Sequence, residues 1–390
     1  MQASGDIAIK AIVVGAGVGG LTTAIALRLR GFDVEVFDAA PRSRASGGGL
    51  GIASNATKVL SALGVDLSQA RIGRVCAQFH LRTASGKLIR ELPITSIADE
   101  LGSPIVNLRR GDLTALLRSS LADTPIHYGA EVIRYDRTGN GVSILCADGR
   151  THTGQVLVGA DGIRSVIRAQ TVGPEPINEY GYVCWIATVP FEHPRLPPGG
   201  AVHYWGRGQR FGLIDIGEGH AYWWGTKNVP NHDTRQWPGT REAILRCFDG
   251  WANEVREVIA RTSEAGIVSV PAQDRSFIES WGDGPVTLVG DAAHPMLTSL
   301  SQGAGSAIED GYVLSYYLAT EGDAVRGLRR YEQARRDRVR WLVSASRRLS
   351  RVEQLENPLA AGLRNLAIRL APMAVVRHEN ITPMRFELPA

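Results

Sequence analysis

The sequence predicts an α/β protein: a Rossmann-like dinucleotide-binding domain, an inserted domain on an antiparallel sheet, and C-terminal helices. Three observations carry this. "AIKAIVVGAGVGGLTTAIALRLRGFDVEVFDAA" (8–40) reads as buried strand, glycine turn, helix, a stop at Gly31 and a second strand, the pattern of a βαβ unit. Between 180 and 275 the texture changes to aromatic-rich, strand-like segments separated by Pro/Gly loops. After "GPVTLVGDAAH" (284–294), one more buried strand, the chain reads as helices.

The remaining elements follow in order. "GGGLGIASNATKVLSALGV" (47–65) is a glycine-rich stretch and then a helix, with Asn55 as its expected cap. Residues 72–92 suggest a hairpin turning at "ASGK". "NLRRGDLTALLRSSLAD" (107–123) puts Leu113, Leu116, Leu117 and Leu121 at helical spacing. Segment 131–162 suggests three short strands with turns at "TGNG" and "ADGR". "YGYVCWIATVPF", "AVHYWGRGQRFGLIDIG" and "HAYWWGTKNVP" supply the strands of the second domain, and a helix is expected at about 240–260.

Composition bounds the function. The 390 residues are 44% hydrophobic and 21% charged, enough for proper cores and not a disordered composition. A net charge of +4 gives little support for a nucleic-acid surface. Four scattered cysteines without a CxxC pair fit reduced thiols in a cytoplasmic protein better than a disulfide frame or zinc site. No membrane span and no metal cluster is expected. The run "RGLRRYEQARRDRVRWLVSASRRLSRVEQ" (326–354) mixes acids among its arginines and spaces Trp341, Leu342 and Leu349 helically, so it reads as a solvated helix packed on the body.

The chemistry sits in three glycine turns. Gly15, Gly17 and Gly20 form GxGxxG between strand and helix, for a tight turn, a close approach to pyrophosphate and close helix packing. Asp38, 18 residues on from Gly20, ends the next strand, where a carboxylate accepts ribose hydroxyls; it points to FAD or NAD rather than NADP. "VGADGIRSVIR" (158–168) puts Asp161 and Gly162 at a strand end, with Arg164 and Arg168 on the helix beyond. "LVGDAAHP" puts Gly290 and Asp291 at another, before "SQGAGS" (301–306) opens a helix.

With GxGxxG, a DG motif and a GD motif in this order, the chain resembles the single-component (class A) flavin-dependent aromatic hydroxylases, the FAD-binding monooxygenases similar to para-hydroxybenzoate hydroxylase. The resemblance covers Ala11 to about Asn357. It implies a GR2-type FAD-binding domain in three pieces (1–75, 100–178, 276–325), a substrate-binding sheet domain (76–99, 179–275) and C-terminal helices (326–390). It implies FAD as cofactor and NADPH or NADH as transient reductant, docking without a second Rossmann unit. Oxygen would reach a small aromatic or polycyclic substrate through a hydroperoxide on flavin carbon 4a. Epoxidation, Baeyer–Villiger insertion and a non-hydroxylating FAD protein are the alternatives, in a monomer or homodimer.

By the same resemblance, Asp291 serves the ribityl chain, and the amides at Gly303 and Ala304 serve the flavin pyrimidine edge. Asp161, Gly162, Arg164 and Arg168 serve FAD and the nicotinamide. Arg110 matches an arginine that contacts FAD, or is an ordinary solvated arginine on a helix. Arg210 and Tyr222 stand where pocket-facing residues occur in related hydroxylases, or in an ordinary half-buried strand pair. Alternation puts Tyr222 and Trp224 on one face and Trp223 on the other, and leaves open which face meets the flavin. His294 is a candidate base or a packing histidine at the turn. Two departures stand out: Thr298 replaces the family proline near the flavin, and Ser301 replaces a glycine.

Overall fold

The computed structural model describes residues 9–41, 48–139, 141–230 and 239–389. Ile7 and Ala8 of the first apolar run, Gly47, and Asn140 of the "TGNG" turn lie outside the described residues.

Runs of Val, Ile and Leu without polar alternation need cover on both faces, and they form a parallel sheet. Its order is Val286–Leu288, Val156–Gly159, Lys10–Val14, Asp33–Asp38, Ile126–Tyr128, with neighbouring pairs parallel throughout. Helix Val18–Arg28 packs against helix Gly303–Thr320. A Cβ on Gly19 would stand 3.0 Å from the Ala307 Cβ, and one on Gly311 2.8 Å from the Thr23 nitrogen. This close crossing brings a turn near the chain's start beside one almost three hundred residues later.

The second sheet has seven strands among the described residues: Val268–Arg275, Ile177–Pro190, His220–Asn228, Gln209–Gly217, Gly200–Trp205, Gln78–Thr83 and Leu88–Leu92. It is antiparallel except where Gly200–Trp205 runs parallel to Gln78–Thr83. The hairpin from 78–92 is added at the edge, with Leu81 buried and Phe79 half-buried in the same cluster. Packing separates the two faces. Trp185, Tyr204, Phe211 and Trp223 face helices Arg241–Cys247 and Asn253–Arg261, whereas Ile214, Tyr222 and Trp224 cluster on the opposite face with Phe79, Leu349 and Ile368.

Several local expectations are corrected. Segment 131–162 holds four strands: Val132–Thr138, Gly141–Cys146 and Thr151–Gly154 form their own sheet, while Val156–Gly159 joins the parallel one. The helix expected at 240–260 is two helices, Arg241–Cys247 and Asn253–Arg261, separated by a turn in which Gly250 has φ +73°. Ala53, not Asn55, precedes helix Ser54–Ala62; the Asn55 amide is inside the helix and turns inward to Gln302 and Glu309. Gly49–Ile52 is a strand paired with Val106–Arg109. The arginine-rich helix, Ala324–Glu353, is packed on the body as expected, with Leu342 buried, and it also buries Arg335 against Glu309 at 2.6 Å and Asp310 at 2.7 Å.

Among the described residues no single helix is long and apolar enough to cross a membrane. Helices Pro358–Leu370 and Met373–Met384 pass that test only together, bent by 102°. No group of three or more His, Cys, Asp or Glu side chains among those residues is placed to hold a metal ion.

Candidate functional site

The first turn has the sterics its glycines imply. Gly15 has φ +110° and its N–H donates to the Phe37 carbonyl at 2.7 Å; a Cβ there would overlap the Ala160 carbonyl. A Cβ on Gly20 would overlap the Gly15 oxygen, whereas one on Gly17 meets nothing within 4 Å. The backbone at Gly17 is therefore open on the side that a ligand needs, at the head of a helix with no acid in its first turn. Asp38 braces the turn: Oδ2 accepts from Ala16 N–H and Oδ1 from Ala40 N–H, each at 2.7 Å. Carboxylate oxygens have two acceptor sites each, so both retain capacity for a hydroxyl.

At the second turn, Asp161 Oδ2 accepts from the amides of Val166 at 2.7 Å and Ile167 at 3.3 Å, while Oδ1 is buried without a partner. Burial pushes this carboxyl up. Gly162 has φ +80° and open space where a Cβ would be. Arg164 is exposed. Arg168 is not available to a nicotinamide. It is fully buried and donates to Glu175 at 2.7 Å, to the Ala292 and Ala293 carbonyls at 3.2 and 2.8 Å, and to Ser276 at 2.8 Å. It clamps the second turn to the third.

At the third turn, Gly290 has φ +56°, and a Cβ there would stand 2.9 Å from the Ala307 Cβ. Its N–H donates to Asp310 at 2.9 Å, and the same carboxylate pairs with His294 Nε2 at 2.6 Å. His294 is buried and braces the turn; the base reading loses to the packing reading. Asp291 is exposed, unlike the buried Gly290 and Ala292 on either side. Its surroundings push the carboxyl up, with His294 and Arg110 pulling it back. Arg110 heads helix Arg110–Ser119, and its N–H donates to the Gly48 carbonyl at 2.9 Å, beside the Gly49 on which the Tyr222 ring packs. Gly303 and Ala304, half-buried, open helix Gly303–Thr320 beside them, again without an acid in the first turn.

The large sheet closes the other side. Tyr222 packs so tightly on the strand Gly49–Ile52 that a Cβ on Gly49 would overlap its ring. Arg210, 2% exposed, is paired with Glu353, 1% exposed, and its Nη2 reaches Thr298 Oγ1 at 3.4 Å. His203, half-buried, stands edge-on to Trp224 with ring centroids 4.7 Å apart, and desolvation pushes its pKa down to about 3. Sequence reasoning missed Glu353, His203 and Gly49. Glu353 is one acid in an arginine-rich run, and no local signal marks its inward turn.

Residues 8–346 match the model of a family described as "FAD binding domain". The chain belongs to that family. It is 33% identical to the aurachin C monooxygenase/isomerase of Stigmatella aurantiaca, over 92% of this chain and 93% of that one. It is 28% identical to the FAD-dependent urate hydroxylase of Klebsiella pneumoniae, over 87% and 89%. It is 32% identical to the chloroplastic zeaxanthin epoxidase of Nicotiana plumbaginifolia, of which it spans about half, 53%. Among solved structures, Klebsiella pneumoniae HpxO complexed with FAD and uric acid superposes with a TM-score of 0.87 at 25% identity, covering 96% of each chain.

The protein is a flavin-dependent monooxygenase with FAD as cofactor, and NAD(P)H is the reductant typical of its family. Its residues fit FAD physically. The open flank of Gly17 admits a pyrophosphate, the unpartnered Asp161 Oδ1 awaits a donor, and an acid-free helix head at Gly303 suits an electron-rich flavin edge.

Proposed function

We propose that this monooxygenase hydroxylates a small aromatic or polycyclic compound in the cleft between the large sheet and the flavin edge. One observation carries the reading: the Tyr222 ring packs on Gly49, next to the Gly48 carbonyl that the Arg110 N–H reaches at 2.9 Å, so the sheet face adjoins the arginine assigned to the cofactor. Gly15, Gly17, Gly20 and Asp38 hold the adenosine and pyrophosphate, with Asp161 and Gly162 alongside. Gly290, Asp291, Arg110, Gly303 and Ala304 hold the ribityl chain and the pyrimidine edge. When bound, FAD takes a hydride from NAD(P)H and activates dioxygen.

The polypeptide orients and dries. Tyr222 and Trp224 give the ring an apolar wall, and Arg210 and Thr298 offer polar contacts where oxygen is inserted. A water-poor wall protects the activated oxygen. Epoxidation is the second reading, favoured by the 32% identity to zeaxanthin epoxidase. A cytoplasmic location belongs to the same proposal, supported by four unpaired cysteines.

Oxygen uptake driven by NAD(P)H, followed by product mass and oxygen-18 labelling, tests the reading. A hydroxylated product carrying one labelled atom is expected. NAD(P)H oxidation that no aromatic compound stimulates would overturn it.

A further inference from the structure

We propose that helices Pro358–Leu370 and Met373–Ile381 dock the enzyme on a lipid bilayer, lying in its interface with a ridge of leucines turned into the acyl layer. None of the residues given to the cofactor lies on either helix.

Helix Pro358–Leu370 is built inside out. Helical spacing puts Leu359, Leu363, Leu366 and Leu370 on one side, and each is at least 50% exposed. The side turned to the protein carries Ala361, Arg364, Asn365 and Ile368. Arg364 is buried and donates to the carbonyls of Val352 at 3.0 Å, Glu353 at 3.1 Å and Gly206 at 3.0 Å, which fixes the charged side inward. The corner between the helices is fixed as well: Arg90 donates to the Arg369 and Ala371 carbonyls, each at 2.7 Å. Past that corner Met373 and Val375, about half exposed, continue the apolar surface. Elsewhere among the described residues, exposed large apolar side chains stand singly or in pairs along the chain. An ordinary surface helix turns its polar side outward, so a ridge of this kind marks a partner.

A bilayer interface fits this surface. Together the two helices have the length and apolar composition of a membrane segment, and their bend of 102° suits them to lying in the interface rather than crossing it. From Asn357 to His378 there is no acid. Arg369, exposed at the edge of the ridge and without an acid partner among the described residues, is placed to reach headgroup phosphates. On the elements beneath, Glu91, Asp99 and Glu100 are offset by Arg90 and by Arg377 and Arg385, which both pair with Glu100. A second copy of the chain is the poorer fit. The ridge is about 16 Å long and one side chain wide, whereas a stable dimer buries about 800 Å² on each partner. On their inner sides the helices, through Ile368, Ala371 and Val376, cluster with Ile214, Tyr222 and Trp224. A docked enzyme thus holds its aromatic sheet face one helix away from lipid.

Flotation of the FAD-loaded, full-length enzyme with vesicles of phosphatidylcholine and phosphatidylglycerol tests the proposal. The wild type should float with the vesicles. Leu363→Glu/Leu370→Glu puts two carboxylates on the ridge at exposed positions, where they cost the fold little and acyl chains much. It should lower vesicle binding at least tenfold, with flavin content and Tm unchanged. Should that variant fail to fold, Leu363→Ala/Leu370→Ala trims the same side chains and should lower binding at least threefold.

Wild-type enzyme that stays at the bottom of the gradient overturns the proposal. Equal flotation of the wild type and a folded ridge variant does the same, since the contact would then lie on another face. A wild-type dimer that the glutamates split, with no flotation, also overturns it and assigns the ridge to a second copy.

Discussion

His294 and Asp310 are joined side chain to side chain at 2.6 Å, Nε2 against Oδ2, and both are shut away from solvent. The pair fastens the turn at Gly290 to helix Gly303–Thr320, and Arg335 closes the other side of Asp310 at 2.7 Å. Burial alone would raise this carboxyl; His294 and Arg335 instead hold it down at about 2. A folded pKa below the unfolded one gives stability that is present above about pH 4 and lost as pH falls toward 2. The amount is about 2 kcal/mol.

Asp310→Asn should therefore lower stability at neutral pH by about 2 to 4 kcal/mol, since it also leaves Arg335 less compensated. It should also flatten the acid limb of the stability curve. Urea unfolding of the apoprotein between pH 7 and 3 measures both. An unchanged acid limb would show that another carboxylate carries it.

Gly17 and Gly20 make a paired test of the first turn. Gly17→Ala adds a methyl where no protein atom lies within 4 Å, at an ordinary φ of −79°, so the apoprotein should keep its Tm. FAD should bind at least tenfold more weakly, because the methyl occupies the space a pyrophosphate needs. Gly20→Ala drives its methyl into the Gly15 carbonyl and should prevent folding of this unit. Undiminished FAD affinity in the Gly17 variant would displace the pyrophosphate from this turn.

Asp291→Ala should purify with markedly less FAD, by absorbance near 450 nm relative to protein, roughly tenfold lower affinity being expected for a lost hydrogen-bonded carboxylate. Equal flavin content would remove Asp291 from the ribityl contact.

Ser301 sits at φ +53°, a left-handed conformation that side chains other than glycine, asparagine and aspartate rarely hold. Ser301→Gly should relieve that strain and raise stability by up to about 1 kcal/mol, the gain being trimmed by glycine's looser unfolded chain. Thermal unfolding measures it, and a lowered Tm would show that the serine hydroxyl holds something the strain conceals.

Much of the cofactor frame was legible in the sequence. The βαβ unit, the three glycine turns and Asp38 all depend on neighbours close in the chain or on backbone conformations that glycine alone adopts cheaply. Arg168 was legible in position and misread in role, because a DG motif specifies where the arginine starts and not which carbonyls it reaches. Asn55 was misplaced for a similar reason. Its propensity for caps was overridden by Gln302 and Glu309, which packing brings to it from about 250 positions away.

The sequence by itself determined a dinucleotide frame, because positive φ angles, strand runs and helix heads are local properties with local signatures. Tertiary structure decided which face of the aromatic sheet is covered by helices Arg241–Cys247 and Asn253–Arg261, that His294 is a brace, and that Arg210 pairs with Glu353 143 residues away. A charge has no period and no turn. Its partner is set by how helices and sheets dock, and only the packed chain brings the two together.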